Sequence, residues 1–167
     1  MFRKHDHLNV EGYSDADWAG SSDRTSTSIY FTFIGGNLVT WRSKKQKIVS
    51  LSSAEAEFRG ISKGVCELLR LRSLLNEIGY TPSNEMNLYY DNQAAIQIAH
   101  NPVQHDRTKH VQIDRHFIKE KLEVKIVKLS FVKSEDQLVD VLTKAVFSRV
   151  FYNYLGKLDI ENIYTPT

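Results

Sequence analysis

Cysteine is all but missing from this chain: Cys66 is the single one among 167 residues. One thiol excludes a disulfide framework and any zinc site built on cysteines. It fits a reducing setting, so the expectation is an intracellular, cytoplasmic protein. No apolar run approaches the roughly 18 residues that a membrane-spanning helix needs. The first fifteen residues are polar and include His5, Asp6 and His7, which does not suit a signal peptide. Repeats, low-complexity stretches and long linkers are absent as well. Nor does one sign of charge dominate: 22 basic residues face 20 acidic ones, for a formal net charge of +2. Net charge therefore neither demands nor excludes nucleic acid, and the distribution of charge decides. What the chain does have is 41% hydrophobic and 25% charged residues, the balance of one ordinary globular domain with enough apolar material for a core.

Local patterns give the element order. Residues 10–15 read as a strand leading into a polar loop over 21–28. Residues 29–34 are β-branched and aromatic, Gly35-Gly36-Asn37 is a turn, and 38–41 form a second strand, a hairpin signature. Residues 48–51 extend that pairing. A long helix is predicted over 53–78. Ser52 and Glu55 match the S-x-x-E capping box at its start, and Gly79 stops it. Phe58, Ile61, Val65, Leu68, Leu69, Leu71 and Leu75 share one apolar arc at helical period. A strand follows over 86–90, then helices over 92–99 and 111–122, and a strand over 124–132. A helix over 134–145 is expected to open on a Ser134/Gln137 capping box, and a last short helix covers 147–155. The pattern suits an α/β fold: a mixed five-stranded sheet with an antiparallel N-terminal hairpin and helices on both faces. The division expected is an N-terminal extension over 1–8, the domain over 9–146, and a short helix and tail over 147–167.

Three acids occupy unusual places. Asp15 and Asp91 end strands, and Glu57 falls in the middle of the apolar arc, where an acid is costly unless paired or bound to metal. Glu55 falls outside that arc. Asp140 sits beside Val139 and Val141 on the last main helix. Carboxylates at strand ends and a helix start can converge at one sheet edge, and converging oxygen ligands are what hard divalent ions require. The plainer alternative is surface charge, with Asp91 a helix cap, Asp17 and Asp23 loop acids, and Asp140 an exposed helix residue. The run Trp41-Arg42-Ser43-Lys44-Lys45-Gln46-Lys47 is either a solvated turn or a phosphate contact, with Trp41 more readily packed than set against a sugar. His110 and His116 lack the partners of a zinc site.

Several blocks together resemble the ribonuclease H domain of copia-type LTR retrotransposon Pol polyproteins. They are Gly12-Tyr13-Ser14-Asp15-Ala16-Asp17-Trp18-Ala19-Gly20, the basic run just quoted, and Leu51-Ser52-Ser53-Ala54-Glu55-Ala56-Glu57-Phe58. Tyr90-Asp91-Asn92-Gln93-Ala94-Ala95-Ile96, Arg107-Thr108-Lys109-His110, Asp114-Arg115-His116-Phe117-Ile118 and Gln137-Leu138-Val139-Asp140-Val141-Leu142-Thr143-Lys144 follow in order. The resemblance implies a ribonuclease H-like fold and cleavage of the RNA strand of RNA–DNA hybrids during reverse transcription. It implies Asp15, Glu57, Asp91 and Asp140 as catalytic residues and metal ligands of two Mg²⁺ ions, for which Mn²⁺ can substitute. The residues expected to hold the hybrid are Lys44, Lys45 and Lys47, with Ser53, Asn92 and His110. A reverse transcriptase domain of the parent polyprotein is the implied partner, and no membrane is. The alternative is an inactive retroelement relic that binds nucleic acid or supports a neighbouring polymerase domain. The chain departs from the family pattern at Ile29, usually Gly, and at Leu69-Arg70-Leu71, usually Trp-Leu-Arg. It also lacks the His that some relatives carry near Val132-Lys133-Ser134-Glu135.

Overall fold

A computed structural model describes residues 7–18, 26–46, 50, 52–82, 84–100, 109–142 and 148–158. The strands are β1 (Val10–Asp17), β2 (Thr27–Ile34), β3 (Asn37–Lys45), β4 (Met86–Tyr90) and β5 (Val127–Phe131). The helices are α1 (Ser53–Glu77), α2 (Gln93–His100), α3 (Lys109–Glu123) and α4 (Ser148–Lys157). One five-stranded sheet runs β3-β2-β1-β4-β5. The first three strands pair antiparallel, and β1–β4 and β4–β5 pair parallel. The predicted mixed sheet is therefore present. Gly35 and Gly36 turn the β2–β3 hairpin with φ of 56° and 74°, left-handed values that glycine adopts at no steric cost.

Helix α1 crosses one face of the sheet. Its backbone begins where Ser52 Oγ accepts the Glu55 N–H at 3.2 Å, which satisfies one otherwise orphaned donor. It ends at Gly79, whose φ of +87° a side chain would resist. Phe58, Ile61, Val65, Leu68, Leu71 and Leu75 are buried against Val10, Leu88 and Tyr90 of the sheet, with α2 and α3 completing the layer. Each such side chain contributes roughly 1.5–3 kcal/mol by leaving water. The opposite face holds a second cluster. Ile29, Phe31 and Phe33 of β2 meet Leu138 and Val139, with Tyr154 and Leu158 from the C-terminal helix region. Strand β2 is thus covered on both faces, and Ile29, where the resembling family carries glycine, is fully buried core.

Three expectations change. The helix predicted over 134–145 is instead two 3₁₀ turns, Ser134–Asp136 and Leu138–Leu142. Ser134 does not cap a helix, because its hydroxyl donates to Asp91 Oδ2 at 3.2 Å. Gln137 is drawn inward, where its Nε2 donates to the Ser14 carbonyl at 3.1 Å. The predicted 38–41 strand runs on to Lys45, so Lys44 and Lys45 lie on strand backbone and not in a turn. Trp41 does not pack and stands 64% exposed. The extension expected over 48–51 lies outside the described residues, apart from Ser50. Among the described residues, no helix is long and apolar enough to cross a membrane.

Candidate active site

Strand β1 alternates strictly. Val10, Gly12, Ser14 and Ala16 face α1, and Glu11, Tyr13, Asp15 and Asp17 are half-buried on the other side. Asp15 therefore leaves the strand near its end, beside the start of the loop. Strand β4 runs parallel to β1, so Asp91, one residue past its end, arrives at the same edge. Helix α1 approaches β1 closely because Gly60 carries no side chain. A Cβ there would lie 3.0 Å from Ala16 Cβ and 3.3 Å from the Asp15 carbonyl. That approach brings Glu57, one turn earlier, to the same edge. Asp15, Asp17, Glu57 and Asp91 line one open pocket of about 420 Å³, together with Ala16, Asn92 and Gln93. The lining contains no cationic side chain among the described residues.

Each acid is held. The Glu57 carboxylate accepts the Tyr90 hydroxyl and, at 3.3 Å, the Asn92 side-chain N–H. Tyr90 is fully buried, and its hydroxyl is pushed well above the ordinary tyrosine range by burial and then by Glu57. It remains a donor. Asn92 serves twice, since its Oδ1 caps α2 by accepting the Ala95 N–H at 3.0 Å. Asp91 accepts from Ser134. Asp140, on the second 3₁₀ turn, is only 5% exposed, which overturns its expected alternative as an exposed helix residue. Burial raises the Asp15 carboxyl to about 7, with Asp91, Asp140 and Glu57 adding repulsion and the Ala16 backbone N–H opposing it. Glu57 is also raised, by burial and by Asp91, against the hydrogen bonds from Tyr90 and Asn92. The four predicted acids thus occupy one electrostatic neighbourhood, three of them in one pocket. Among the described residues, no three His, Cys, Asp or Glu side chains already stand at the spacing of ligands to a single metal ion.

The chain is 38% identical over 164 residues to a retrovirus-related Pol polyprotein from transposon RE1 of Arabidopsis thaliana, covering 98% of this chain and 11% of that protein. It is 37% identical over 139 residues to the Pol polyprotein from transposon TNT 1-94 of Nicotiana tabacum, covering 82% of this chain and 10% of that one. The chain thus spans about a tenth of the length of these curated relatives. RNase H1 from Halobacterium salinarum superposes with a TM-score of 0.54 at 14% identity, covering 80% of this chain and 93% of that one. LC11-RNase H1 in complex with RNA/DNA hybrid gives 0.58 at 14% identity, covering 80% and 93%. No family model matches. The chain is a ribonuclease H-fold domain of the retrotransposon Pol polyprotein type.

Of the remaining predicted residues of this ribonuclease H-fold domain, one of those described belongs to the acid pocket. Asn92 lines it. Ser53 is exposed on the first turn of α1. Lys44 and Lys45 do not reach the acids, and line a second pocket between β2, β3 and α1. Lys47 and the His110 side chain lie outside the described residues, and His116 is exposed on α3. Glu55, expected off the apolar arc, is buried, with its carboxylate held by Arg59 at 2.5 Å. The sequence analysis missed Tyr90 and Ser134 as supports of the acids. Tyr90 carried a usable signal: it directly precedes Asp91 in a strand of period 2, so it must point to the α1 side.

Proposed function

We propose that this domain is a nuclease that hydrolyses the RNA strand of RNA–DNA hybrids, with Asp15, Glu57, Asp91 and Asp140 as ligands of two Mg²⁺ ions. The observation that carries the proposal is the convergence of Asp15, Glu57 and Asp91 on one pocket from β1, α1 and the end of β4. The sequence likeness to Pol polyproteins supports it. So does the fold shared with an RNase H1 whose own structure contains RNA/DNA hybrid. The donor set fits hard divalent ions: oxygen ligands only, partly desolvated and mutually repelling. Asp15, Glu57, Asp91 and Asp140 would hold the ions, their side chains turning inward to do so. When bound, such a pair of ions supplies an activated water and a stabilised leaving oxygen.

The chain's own residues prepare the site. Tyr90 and Asn92 fix the Glu57 carboxylate, and Ser134 orients Asp91. Contact with 2′-hydroxyls in the shallow minor groove distinguishes the RNA strand. A second reading, a domain that binds hybrid without cutting it, draws on the wide spacing of the acids. One experiment separates them: labelled hybrid, duplex DNA and duplex RNA offered with Mg²⁺ to the wild type and to Asp91→Asn. Cutting confined to the hybrid is expected, with a loss in Asp91→Asn of more than about 100-fold, the upper range for groups that merely support a ligand. Equal cutting by both proteins removes the site assignment. Binding with no cutting by the wild type establishes the second reading.

A further inference from the structure

The second pocket has no role in the acid site. It is an open groove of about 480 Å³ on the α1 side of the hairpin. Arg42, Lys44, Lys45, Arg59, Lys63 and Arg70 line it, and Glu67 is the one acid in the lining among the described residues. Arg59 bonds Glu55 and Arg70 bonds Glu67, each at 2.5 Å. Lys63 instead reaches inward, where its Nζ donates to Ser28 Oγ at 3.2 Å. Ser28 is buried and also accepts Gln46 Nε2 at 2.8 Å, so the floor of the groove is polar and fixed. Burial lowers the Lys63 ammonium, and Arg59, Arg42 and Lys44 lower it further, with Asp114 alone opposing. A half-buried cation among cations is the arrangement that an anion relieves.

Edge protection is the simpler account of basic residues on β3, which is an edge strand. It does not explain Arg59, Lys63 and Arg70, which come from α1. Those three span twelve residues of helix, eleven steps of 1.5 Å or about 16 Å. That length exceeds one phosphate and suits several along a strand. Among the described residues, the lining has no exposed aromatic ring. Trp41 is on the opposite face of β3, paired with Phe31, whereas Arg42 pairs with Tyr30. A groove with cations and no stacking surface grips backbone and not bases.

We propose that this groove between β3 and α1 binds the phosphate backbone of a nucleic-acid strand, as a contact separate from the acid pocket. The choice of nucleic acid over an acidic peptide rests on the proposed hybrid substrate. The binding itself does not depend on cleavage. Lys63 is six residues beyond Glu57, about 9 Å along the helix axis and turned from it by roughly 240°.

The chain's single thiol gives a direct test, because Cys66 is exposed and lines the groove. Alkylation of Cys66 by iodoacetamide is followed in the full chain with EDTA, with and without a short RNA–DNA hybrid. Binding is measured in parallel against salt. Hybrid is expected to slow alkylation. Lys44→Gln and Lys63→Met are each expected to weaken binding about five- to tenfold at 0.1 M salt, as one counterion-releasing contact is lost. Each should reduce the magnitude of the log K against log salt slope by about 1. Lys44 is exposed at a strand end, so its variant reports even if Lys63→Met misfolds. Unchanged alkylation and unchanged slopes in a chain that binds hybrid overturn the groove and leave the nuclease proposal standing. Protected Cys66 in a chain that cuts nothing keeps the groove and removes the nuclease. Protection by polyglutamate equal to that by hybrid at matched charge reassigns the groove to an acidic protein, and the proposal fails.

Discussion

The two pockets are built on opposite sides of the same helix and carry opposite charge. From Glu57, successive residues advance about 100° each. Glu57 therefore faces the β1–β4 edge, and Arg59 and Lys63, displaced by roughly 200° and 240°, face β2 and β3. Neither pocket balances its charge from its own lining. Among the described residues, the acid pocket has no cation, and Asp15 is pushed toward protonation. Among them too, the basic groove has one acid, and Lys63 is pushed toward deprotonation. That separation along α1 is what the two proposals require, bound cations on one side and phosphates on the other.

The largest expected effect comes from breaking the frame that holds the acid side. Gly60→Ala would place a methyl 3.0 Å from Ala16 Cβ, 3.2 Å from the Tyr90 hydroxyl and 3.3 Å from the Asp15 carbonyl. The backbone cannot yield cheaply there, so α1 must move off β1, at about 1–3 kcal/mol of stability. The shift displaces Glu57 and Tyr90 relative to Asp15. Hybrid cleavage is expected to fall much more than hybrid binding, which the groove still supports. Denaturant unfolding, cleavage rate and Kd measured on one preparation check this. An equal loss of binding and cleavage would mean that the two pockets are not mechanically separate.

A smaller effect, of opposite sign, isolates the charge of the acid pocket. The folded Asp15 carboxyl is raised from 3.8 to about 7, so between those values the unfolded chain ionises first. The folded state then binds more protons, and stability falls as pH rises from about 4 to about 7, with no further loss above. Asp15→Asn removes that slope. In EDTA at pH 8 it is expected to raise Tm, by about 2–4 °C for each kcal/mol of burial cost and repulsion relieved in a domain of this size. The same substitution is expected to abolish the proposed Mg²⁺-dependent cleavage. Unfolding followed against pH for both proteins gives the result, and parallel curves would show that the Asp15 charge costs the fold nothing.

How far the sequence reaches differs between the two pockets for a physical reason. The acid side was legible because its residues sit at element boundaries with local signatures. Ser52 and Gly79 bound α1, the apolar arc fixes the direction of Glu57, and β4 ends where Asp91 begins. The segment carrying Asp140 was not legible. Its S-x-x-Q pattern mimics a capping box, but Gln137 is taken by Ser14, 123 residues away, and no local pattern reveals such a bond. The basic side was half legible. The run ending in Lys47 announces itself, but Arg59, Lys63 and Arg70 follow a helical stripe that reads as a solvated face. Only the pairing of Ser28 with Lys44 and of Tyr30 with Arg42 shows that β3 brings its cations to that stripe. Glu55 misled for a related reason: its carboxylate is buried because Arg59 accompanies it.

The smallest expected effect sharpens the basic side. Glu67 accepts Thr40 Oγ1 at 2.9 Å, Tyr30 at 3.4 Å and two Arg70 nitrogens at 3.0 and 2.5 Å. The hydrogen bonds from Arg70 chiefly hold its carboxyl below the usual 4.5. Such a group stabilises the fold above its unfolded pKa, and that contribution is lost as pH falls through the depressed folded value. Arg70 is largely exposed, so screening limits the pair, and Glu67→Gln is expected to cost about 1 kcal/mol or less at neutral pH. The difference from wild type should shrink below pH 4. Removing this acid from the groove's lining should also tighten hybrid binding at low salt and leave cleavage chemistry untouched, as Glu67 is not among the described residues that line the acid pocket. Binding that weakens instead would show that Glu67 positions Arg70 for the phosphate, which makes the acid part of the grip and not its counterweight.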